Sequence, residues 1–167
     1  MATTAAGTPY VESSDLVANY PGVSLALANH IDTSTGKVLQ VVRATDATTR
    51  TTTSTTFVDA SLSVTITPTA TTSLILLIHI AQARPQSATG GMRTQITDSS
   101  NNAISGAENL GADAAAVFII QTGFGYATPV TISPVTYKIR FRANTGGTAE
   151  LTNASNVAQL FAIEVEA

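Results

Sequence analysis

Hydrophobic and polar residues alternate with a period of two along much of the chain after Lys37. In residues 61–67 every second side chain is leucine, valine or isoleucine, and serines and threonines lie between them. Residues 135–142 show the same alternation, with threonine and basic side chains on one face. Such alternation is typical of β-strands that bury one face and expose the other to water.

Three further segments are apolar on both faces over part of their length: residues 73–80, 116–120 and 160–165. A strand in a two-sheet sandwich has one face in the core and one toward solvent, so a strand with two apolar faces needs a second cover. A sister copy of the chain is the simplest cover, because most soluble oligomers are symmetric assemblies of one chain. We therefore expect an obligate homo-oligomer that buries segments 73–80 and 116–120.

Clusters of glycine, proline, asparagine and serine separate these segments at the spacing of a sandwich or barrel. The turn sequence Asn-Thr-Gly-Gly at 144–147 predicts a hairpin between the strands that flank it. About eight strands result, which is the usual number in a jelly roll. The pattern therefore predicts an all-β protein in which residues 37–167 form a jelly-roll-type β-sandwich.

Residues 14–31 follow a helical pattern instead. After Pro21, the side chains of Val23, Leu27 and Ile31 fall at helical spacing and form a narrow apolar stripe. A helix of about two to three turns is marginal in water by itself, so it must pack on something. That cover is the β-domain, a sister copy or a socket in another protein. We predict a short N-terminal helical arm, residues 1–36.

The composition replaces charge with hydroxyl groups. Hydrophobic residues make up 44% of the 167 residues and charged residues only 11%, against roughly 25% charged in an average globular protein. Threonine is β-branched and favours strands, which agrees with an all-β fold. The net charge is −3, with 8 lysines and arginines, and a nucleic-acid-binding protein would need a clustered basic face. We expect no nucleic-acid partner.

The sequence predicts neither export nor membrane insertion. Residues 1–9 have no basic or apolar signal-peptide region. The longest apolar run, 74–80, is far shorter than the roughly 20 residues of a membrane span.

Cysteine is absent, so no disulfide or cysteine zinc site holds the fold. We expect assembly in a reducing cytoplasm.

The segment TDATTRTTTSTTFVD at 45–59 concentrates threonines between the first strand and the next. A glycosylated stalk would carry proline and run longer, and an ice-binding face would need a regular repeat over many strands. We interpret the segment as a surface loop that leads into an edge strand. Arg50 gives the loop a charge that opposes edge-to-edge aggregation.

Residues that could carry catalysis are few. His30 and His79 lie on different elements, and no carboxylate spacing suggests a metal site. We interpret His79 as a hydrogen-bonded residue of the core or an interface. The run from Asp98 to Asn102 lacks the glycine and glutamate of a calcium loop and predicts a β-turn. No nucleophile–base set and no matched pair of carboxylates is present, so we expect neither an enzyme nor a cofactor.

Two groups of residues are candidates for contact with a ligand. Phe124 and Tyr126 either form an exposed platform for a sugar or are buried in the core or an interface. Burial is favoured, because large aromatic side chains mainly serve burial. Lys138, Arg140 and Arg142 form a basic stripe on one strand face, which is either solvated or in contact with an acidic glycan or partner.

Two stretches of the sequence resemble structural proteins of tailed bacteriophages. The first is TTSTTFVDASLSVTITPTATTSLILL at 52–77, and the second is DLVANYPGVSLALANHID at 15–32. In that family a threonine-rich loop and the strands after it open a β-sandwich head, and segments similar to the second stretch precede such heads.

The resemblance implies a homotrimer on a virion, assembled in the host cytoplasm and attached through residues 1–36, including Val23, Leu27 and Ile31. We expect a fibre or knob on the tail or baseplate that meets the host surface and binds a glycan weakly through several copies. The alternative is a capsid decoration protein, of the cement or head-fibre type, that ornaments or stabilises the shell.

Overall fold

The computed structural model describes residues 2–3, 9–10, 24–26, 37–86, 90–112, 117–144 and 147–166. The chain divides into two units, Met1–Lys37 and Val38–Ala167. In the first unit, strands β1 (Ala2–Thr3) and β2 (Pro9–Tyr10) pair antiparallel, and residues 24–26 are helical. The proposed attachment residues Val23, Leu27 and Ile31 lie outside the described residues, so the helical arm stays a prediction.

The second unit is built from strands, as the alternation predicts. In chain order they are β3 (Val38–Asp46), β4 (Arg50–Thr52), β5 (Val58–Ile66), β6 (Leu74–Pro85), β7 (Met92–Asp98), β8 (Leu110–Ala112), β9 (Ile119–Ala127), β10 (Val135–Ala143), β11 (Ala149–Leu151) and β12 (Ala158–Val165).

These strands form two antiparallel sheets. The four-stranded sheet has the order β5–β10–β7–β8. In the six-stranded sheet, β6 lies between β12 and β9, β3 flanks β12, and the short strands β11 and β4 continue the sheet beside the far end of β6. Buried residues from both sheets form one hydrophobic cluster. The two sheets therefore face each other as a β-sandwich.

The core is made by the inward-facing half of each alternating strand. Apolar side chains of β5 and β10 meet those of β6 and β12 between the sheets, and full burial of each large one stabilises the fold by about 1.5–3 kcal/mol. The alternation predicted for residues 61–67 and 135–142 is confirmed. The main core residues are Leu62, Val64, Ile66, Ile75, Leu77, Ile96, Tyr137, Ile139, Phe141 and Leu160.

Segment 144–147, of which residues 145–146 lie outside the described residues, does not connect two paired strands, contrary to the predicted hairpin. The strand before it, β10, belongs to the four-stranded sheet, whereas β11 after it pairs with β4 and β6 in the other sheet. A turn sequence specifies only that the chain reverses, and burial elsewhere selects the partner strand. Here Ala149 and Leu151 are buried in the common core, which draws β11 across to the second sheet.

The threonine-rich segment is a surface connection that leads into β5, an edge strand of the four-stranded sheet, as predicted. It also contains the short strand β4, which the interpretation as a loop did not predict. Most of its threonines are exposed. Asp46, at the end of β3, holds the segment in place, because it accepts hydrogen bonds from Arg50 Nε and Asn153 Nδ2, each at 3.0 Å. The charge of Arg50 is therefore engaged in an ion pair.

Glycines occupy inward positions of β9 because another part of the chain crosses there. A Cβ atom added to Gly123 would overlap the side chain of Leu110 in β8. A Cβ atom added to Gly125 would lie 3.0 Å from Ile104 Cγ2. The two glycines thus allow residues 104–110 to pack directly against the backbone of β9.

His79 is completely buried on the inner face of β6. Neither ring nitrogen has a hydrogen-bond partner among the described residues. The predicted location in the core or an interface is therefore confirmed, and the predicted hydrogen bond is wrong. Burial lowers the pKa of His79 to about 4, so the ring is neutral near pH 7.

Glu164, on β12, is also buried but is surrounded by donors. Thr69 donates its backbone N–H and its hydroxyl to Oε1 at 2.6 and 2.7 Å, and the Gln40 amide donates to Oε2 at 2.5 Å. Burial alone would raise the pKa of Glu164, but these groups and the Ser73 hydroxyl favour the carboxylate and lower the pKa to about 2. The carboxylate thereby ties the loop after β5 to β12 and β3.

The close crossing over β9 predicts that Gly123→Ala destabilises the fold. The added methyl group must displace Leu110, and overpacking of this kind costs about 1–3 kcal/mol. Thr122→Ala is the matched control, because Thr122 is exposed on the opposite face of the same strand. Urea unfolding of the two variants measures the difference. Equal stability of both variants would contradict the crossing.

The two buried ionisable groups predict stability losses in successive pH ranges. The unfolded chain binds a proton at His79 near pH 6.5, whereas the native protein does so only near pH 4. Stability is therefore intact above pH 6.5 and falls by about 3 kcal/mol as the pH drops toward 4. For Glu164, the pKa falls from 4.5 to about 2 on folding, so its contribution is lost below pH 4.5.

Denaturant unfolding as a function of pH, on the parent protein and on His79→Leu and Glu164→Gln, tests these ranges. His79→Leu should remove the loss between pH 6.5 and 4 and keep the loss at lower pH. Glu164→Gln should keep the loss between pH 6.5 and 4 and reduce the loss at lower pH, which Asp46 and Asp98 still cause in part because their pKa values are lowered too. A stability profile of His79→Leu that follows the parent through the upper range would refute the assignment.

Candidate assembly interface

The outer face of the six-stranded sheet is apolar, because β6 and β12 carry apolar side chains on both faces. The antiparallel register aligns side chains from β3, β12, β6 and β9 in rows across the sheet. We call the following set the apolar face: Val41, Leu76, Ile78, Ile80, Ile120, Phe124, Tyr126, Phe161 and Ile163.

The side chains at the two sides of the apolar face are more than half exposed. Ile120 is 62% exposed, and Phe124 and Val41 are each 57% exposed. Four strands about 4.8 Å apart, with about seven residues each, give the face an area on the order of 400 Å². The largest apolar patch on a typical monomeric protein measures about 300–600 Å² and is often an interaction site, so this face is a candidate interface.

Little charge interrupts the apolar face. Arg43, on β3 opposite Phe161, donates to Gln159 Oε1 at 3.4 Å. Near the C-terminal end of β6, the Arg84 guanidinium lies 3.1 Å from the Glu150 carboxylate and 4.9 Å from the centre of the Phe118 ring. An apolar surface with so little charge can meet an identical surface without like-charge repulsion.

Phe124 and Tyr126 belong to this face and not to the core. Side chains along β9 point alternately to the core and to the outer face. Gly123 and Gly125 occupy the inward positions, so the rings of Phe124 and Tyr126 point outward and are exposed. Burial in the core of one chain, one of the favoured interpretations of these aromatics, is therefore wrong. Their burial in an interface stays a prediction.

The predicted basic stripe lies on the outer face of the four-stranded sheet, and its cations have partners. Lys138 Nζ is 3.7 Å from Asp59 Oδ2. Arg140 donates to the Phe57 carbonyl, and the Arg142 guanidinium lies 5.2 Å from the centre of the Phe57 ring. The stripe therefore braces the start of β5 and is not a set of unpaired charges.

The two outer faces of the sandwich differ in chemistry. Hydroxyl groups surround the basic stripe, and the hydroxyls of Thr65 and Thr136 lie 2.8 Å apart across β5 and β10. Phe124 and Tyr126 stand on the opposite side of the sandwich. The five candidate ligand-contact residues thus lie on two separate faces and do not form one contact surface.

The apolar face includes Val41, which lies outside the segments that the sequence identified, and Phe161 and Ile163 of segment 160–165, which the sequence analysis did not assign to the buried surface. The signal that locates them is apolar character on both faces of adjacent strands, which the sequence shows for residues 73–80 and 160–165. Residues 113–116 lie outside the described residues, and β9 begins only at Ile119. The third two-sided segment, 116–120, therefore contributes to the face mainly through Ile120.

Within the described ranges, no group of three histidine, aspartate or glutamate side chains is placed to hold a metal ion. The described helical residues also include no helix that is long and apolar enough to span a membrane.

No family model matches the sequence, and no curated protein matches it. Among solved structures, the chain is similar to a protein in the structure of infectious bursal disease virus Gx strain, with a TM-score of 0.49 and 13% identity over 80% of this chain and 33% of that chain. The VP2 subviral particle of infectious bursal disease virus gives a TM-score of 0.44 and 12% identity over 77% and 38% of the two chains.

The enzymatically active domain of bacteriophage CBA120 tailspike protein 4 is similar at a TM-score of 0.30 and 12% identity. That match covers 74% of this chain and 20% of the tailspike chain. The chain thus spans about a third of the length of the two virus proteins and less of the tailspike.

Proposed function

We propose that the protein is a structural component of a bacteriophage virion that assembles as a homotrimer through the apolar face. The apolar face is the observation that carries the proposal, because one sandwich cannot cover both sides of β6. The resemblance of residues 52–77 and 15–32 to tailed-phage proteins supports the virion role.

The size of the apolar face suits the centre of a protein–protein interface. A stable interface buries about 800 Å² on each partner, with an apolar centre and a polar rim. A face of roughly 400 Å² supplies the centre, and aromatic side chains such as Phe124 and Phe161 are the residue type enriched there. Around a threefold axis, each copy buries this face against its two neighbours.

The sandwich is a jelly roll in this proposal. Its pairs are nested along the chain: β7 pairs with β8, β6 with β9, β5 with β10 and β3 with β12. The pairs fall alternately in the two sheets. Nested pairing of this kind supports a long antiparallel hairpin wrapped into two sheets, and eight strands in two Greek keys define a jelly roll.

The difference between the two outer faces orients each copy. The apolar face turns toward the sister copies, and the hydroxylated face of β5 and β10 turns toward water. Threonine and serine keep this second face wet with few charges, which suits a many-copy assembly. The head is then displayed outward as a fibre or knob on the tail or baseplate, where it meets the host surface.

Imaging of the particle tests this position. Density for the head at the tail or baseplate is the expected result. Density distributed over the shell would overturn the tail position in favour of a capsid decoration protein.

The apolar face predicts that a charge at its exposed edge blocks assembly. Phe124→Asp should raise the dissociation constant by roughly 30-fold or more, because loss of an aromatic side chain that anchors an interface costs about 2 kcal/mol. Ser63→Asp, on the hydroxylated face, is the matched control and should stay trimeric. Light scattering at micromolar concentration gives the mass, and circular dichroism confirms the fold. A monomeric parent protein, or a trimeric Phe124→Asp variant, would sink the proposal.

Attachment to the virion is assigned to residues 1–36. The stripe of Val23, Leu27 and Ile31 is too narrow to stabilise a short helix alone, so it gains its cover on docking. Deletion of residues 1–31 should leave a folded sandwich that no longer joins particles, and Leu27→Asp should do much the same. Particle composition, measured by mass spectrometry, is the readout. Incorporation of the truncated protein at normal copy number would refute this anchor.

A further inference from the structure

A cavity of about 480 Å³ opens at one end of the sandwich. Its walls come from the ends of β7 and β9, the start of β10, and parts of the connecting segments 99–105 and 128–134. Cavities of this volume are typical of small-molecule sites. Tyr126, which is 52% exposed, is the one candidate ligand-contact residue that lines the cavity.

The first wall is fixed by hydrogen bonds. Asp98 Oδ1 accepts the backbone N–H groups of Ser100 and Asn102 at 2.8 and 2.9 Å, and Oδ2 accepts Asn102 Nδ2 at 2.8 Å. This confirms the β-turn predicted for residues 98–102. Further along, the carbonyl of Ser105 accepts the N–H of Tyr126 at 3.1 Å. Hydrogen bonds within the turn at 98–102 and between Ser105 and β9 therefore fix this wall.

The second wall is fixed by its backbone. Pro129 and Pro134 line the cavity near the two ends of the connection from β9 to β10, and each proline restricts its own φ angle. Between them, Val130 has a φ of 51°. A β-branched residue adopts such an angle only where its surroundings enforce it. Both walls are thus shaped before any ligand arrives.

The lining combines one carboxylate with several hydroxyl groups. Ser105, Thr136 and Tyr137 are hydroxyl-bearing residues of the lining, and Asp98 is its carboxylate-bearing residue. The hydroxyl of Thr136 also lies 2.8 Å from that of Thr65. None of the described residues that line the cavity carries a positive charge. A carboxylate offers about four lone-pair positions, so Asp98 can accept a further hydrogen bond beyond those of its turn.

Two ionisation states follow from the surroundings. Burial alone would raise the pKa of Asp98, but the hydrogen bonds from Asn102 and Ser100 and the charge of Lys138 outweigh burial and lower this pKa, so the group is ionised near pH 7. Burial and the Asp98 charge raise the pKa of Tyr137 to about 12, so its hydroxyl stays protonated. The cavity therefore offers an anionic acceptor and a neutral donor.

We infer that this cavity binds a neutral, hydroxyl-rich ligand, namely a hexose unit of a glycan. A negative charge on the ligand would be repelled by Asp98, and a bound metal cation would need more carboxylate or carbonyl ligands than one carboxylate. A wholly apolar ligand would leave the lining hydroxyls without partners. Pro129 and Pro134, which line the cavity, provide an apolar surface against which the C–H groups of a sugar can pack.

This inference takes its biological role from the proposed outward display of the head, but sugar binding by the purified protein does not depend on that display. The probes are the methyl glycosides of glucose, galactose, mannose and N-acetylglucosamine. Saturation-transfer NMR on the full-length protein identifies the binder, and titration gives its affinity. We expect a dissociation constant on the order of 1 mM for at least one glycoside.

Thr136→Val and Thr65→Val form a matched pair of variants. Both remove the same hydroxyl–hydroxyl contact between β5 and β10, but only Thr136 lines the cavity. Thr136→Val should weaken glycoside binding by about three- to ten-fold, as should Tyr137→Phe. Thr65→Val should bind like the parent protein.

Two results would overturn the inference. One is the absence of saturation transfer from every glycoside up to about 50 mM, far above the expected dissociation constant. The other is parental affinity in both Thr136→Val and Tyr137→Phe. Light scattering on the same samples reports the oligomeric state separately, so failure of the trimer and failure of the sugar site are distinguished.

Discussion

Strand β6 is apolar on both faces, and the removal of these two faces from water is the constraint on which the rest of the structure depends. A sandwich covers one face of each strand, because its core lies between the two sheets. The inward side chains Ile75 and Leu77 are completely buried there. The outward side chains Leu76 and Ile78 are only half-buried by their neighbours in the sheet. The interior is therefore covered within one chain, whereas the outer apolar side chains stay partly exposed.

The same constraint accounts for the unusual composition. The outer surface of the four-stranded sheet is covered by threonine, serine and a few paired cations, so it stays wet with little charge. The apolar face has almost no charge either, and the 11% of charged residues is a consequence of both. Glycines at positions 123 and 125 contribute to the apolar character of the outer face. They let residues 104–110 pack against the inner side of β9, and the aromatic side chains of β9 point outward.

Buried polar groups in the sandwich behave according to the donors around them. Glu164 and His79 are both completely buried. Glu164 is surrounded by hydroxyl, amide and backbone donors that favour its charged form, whereas His79 has no partner among the described residues. One group therefore stays ionised and the other neutral near pH 7. Burial gives opposite outcomes because hydrogen bonding, and not depth alone, decides the cost of a buried charge.

The sequence by itself determined the period of the strands, the all-β class and the two-sided apolar character of residues 73–80 and 160–165. These properties are local, because alternation places side chains on faces whatever the partner strand is. It also identified the turn at 98–102, which is held by the side chain of its own first residue.

Only the tertiary structure decided which strands pair and what each face meets. Segment 144–147 connects strands of two different sheets because burial of Ala149 and Leu151 outweighs local hairpin pairing. Phe124 points outward because the glycines beside it face the crossing segment. Lys138, Arg140 and Arg142 have partners from β5 and the segment before it, and the cavity walls come from segments far apart in the chain. Contacts between distant segments depend on three-dimensional packing, which no periodicity along the chain encodes.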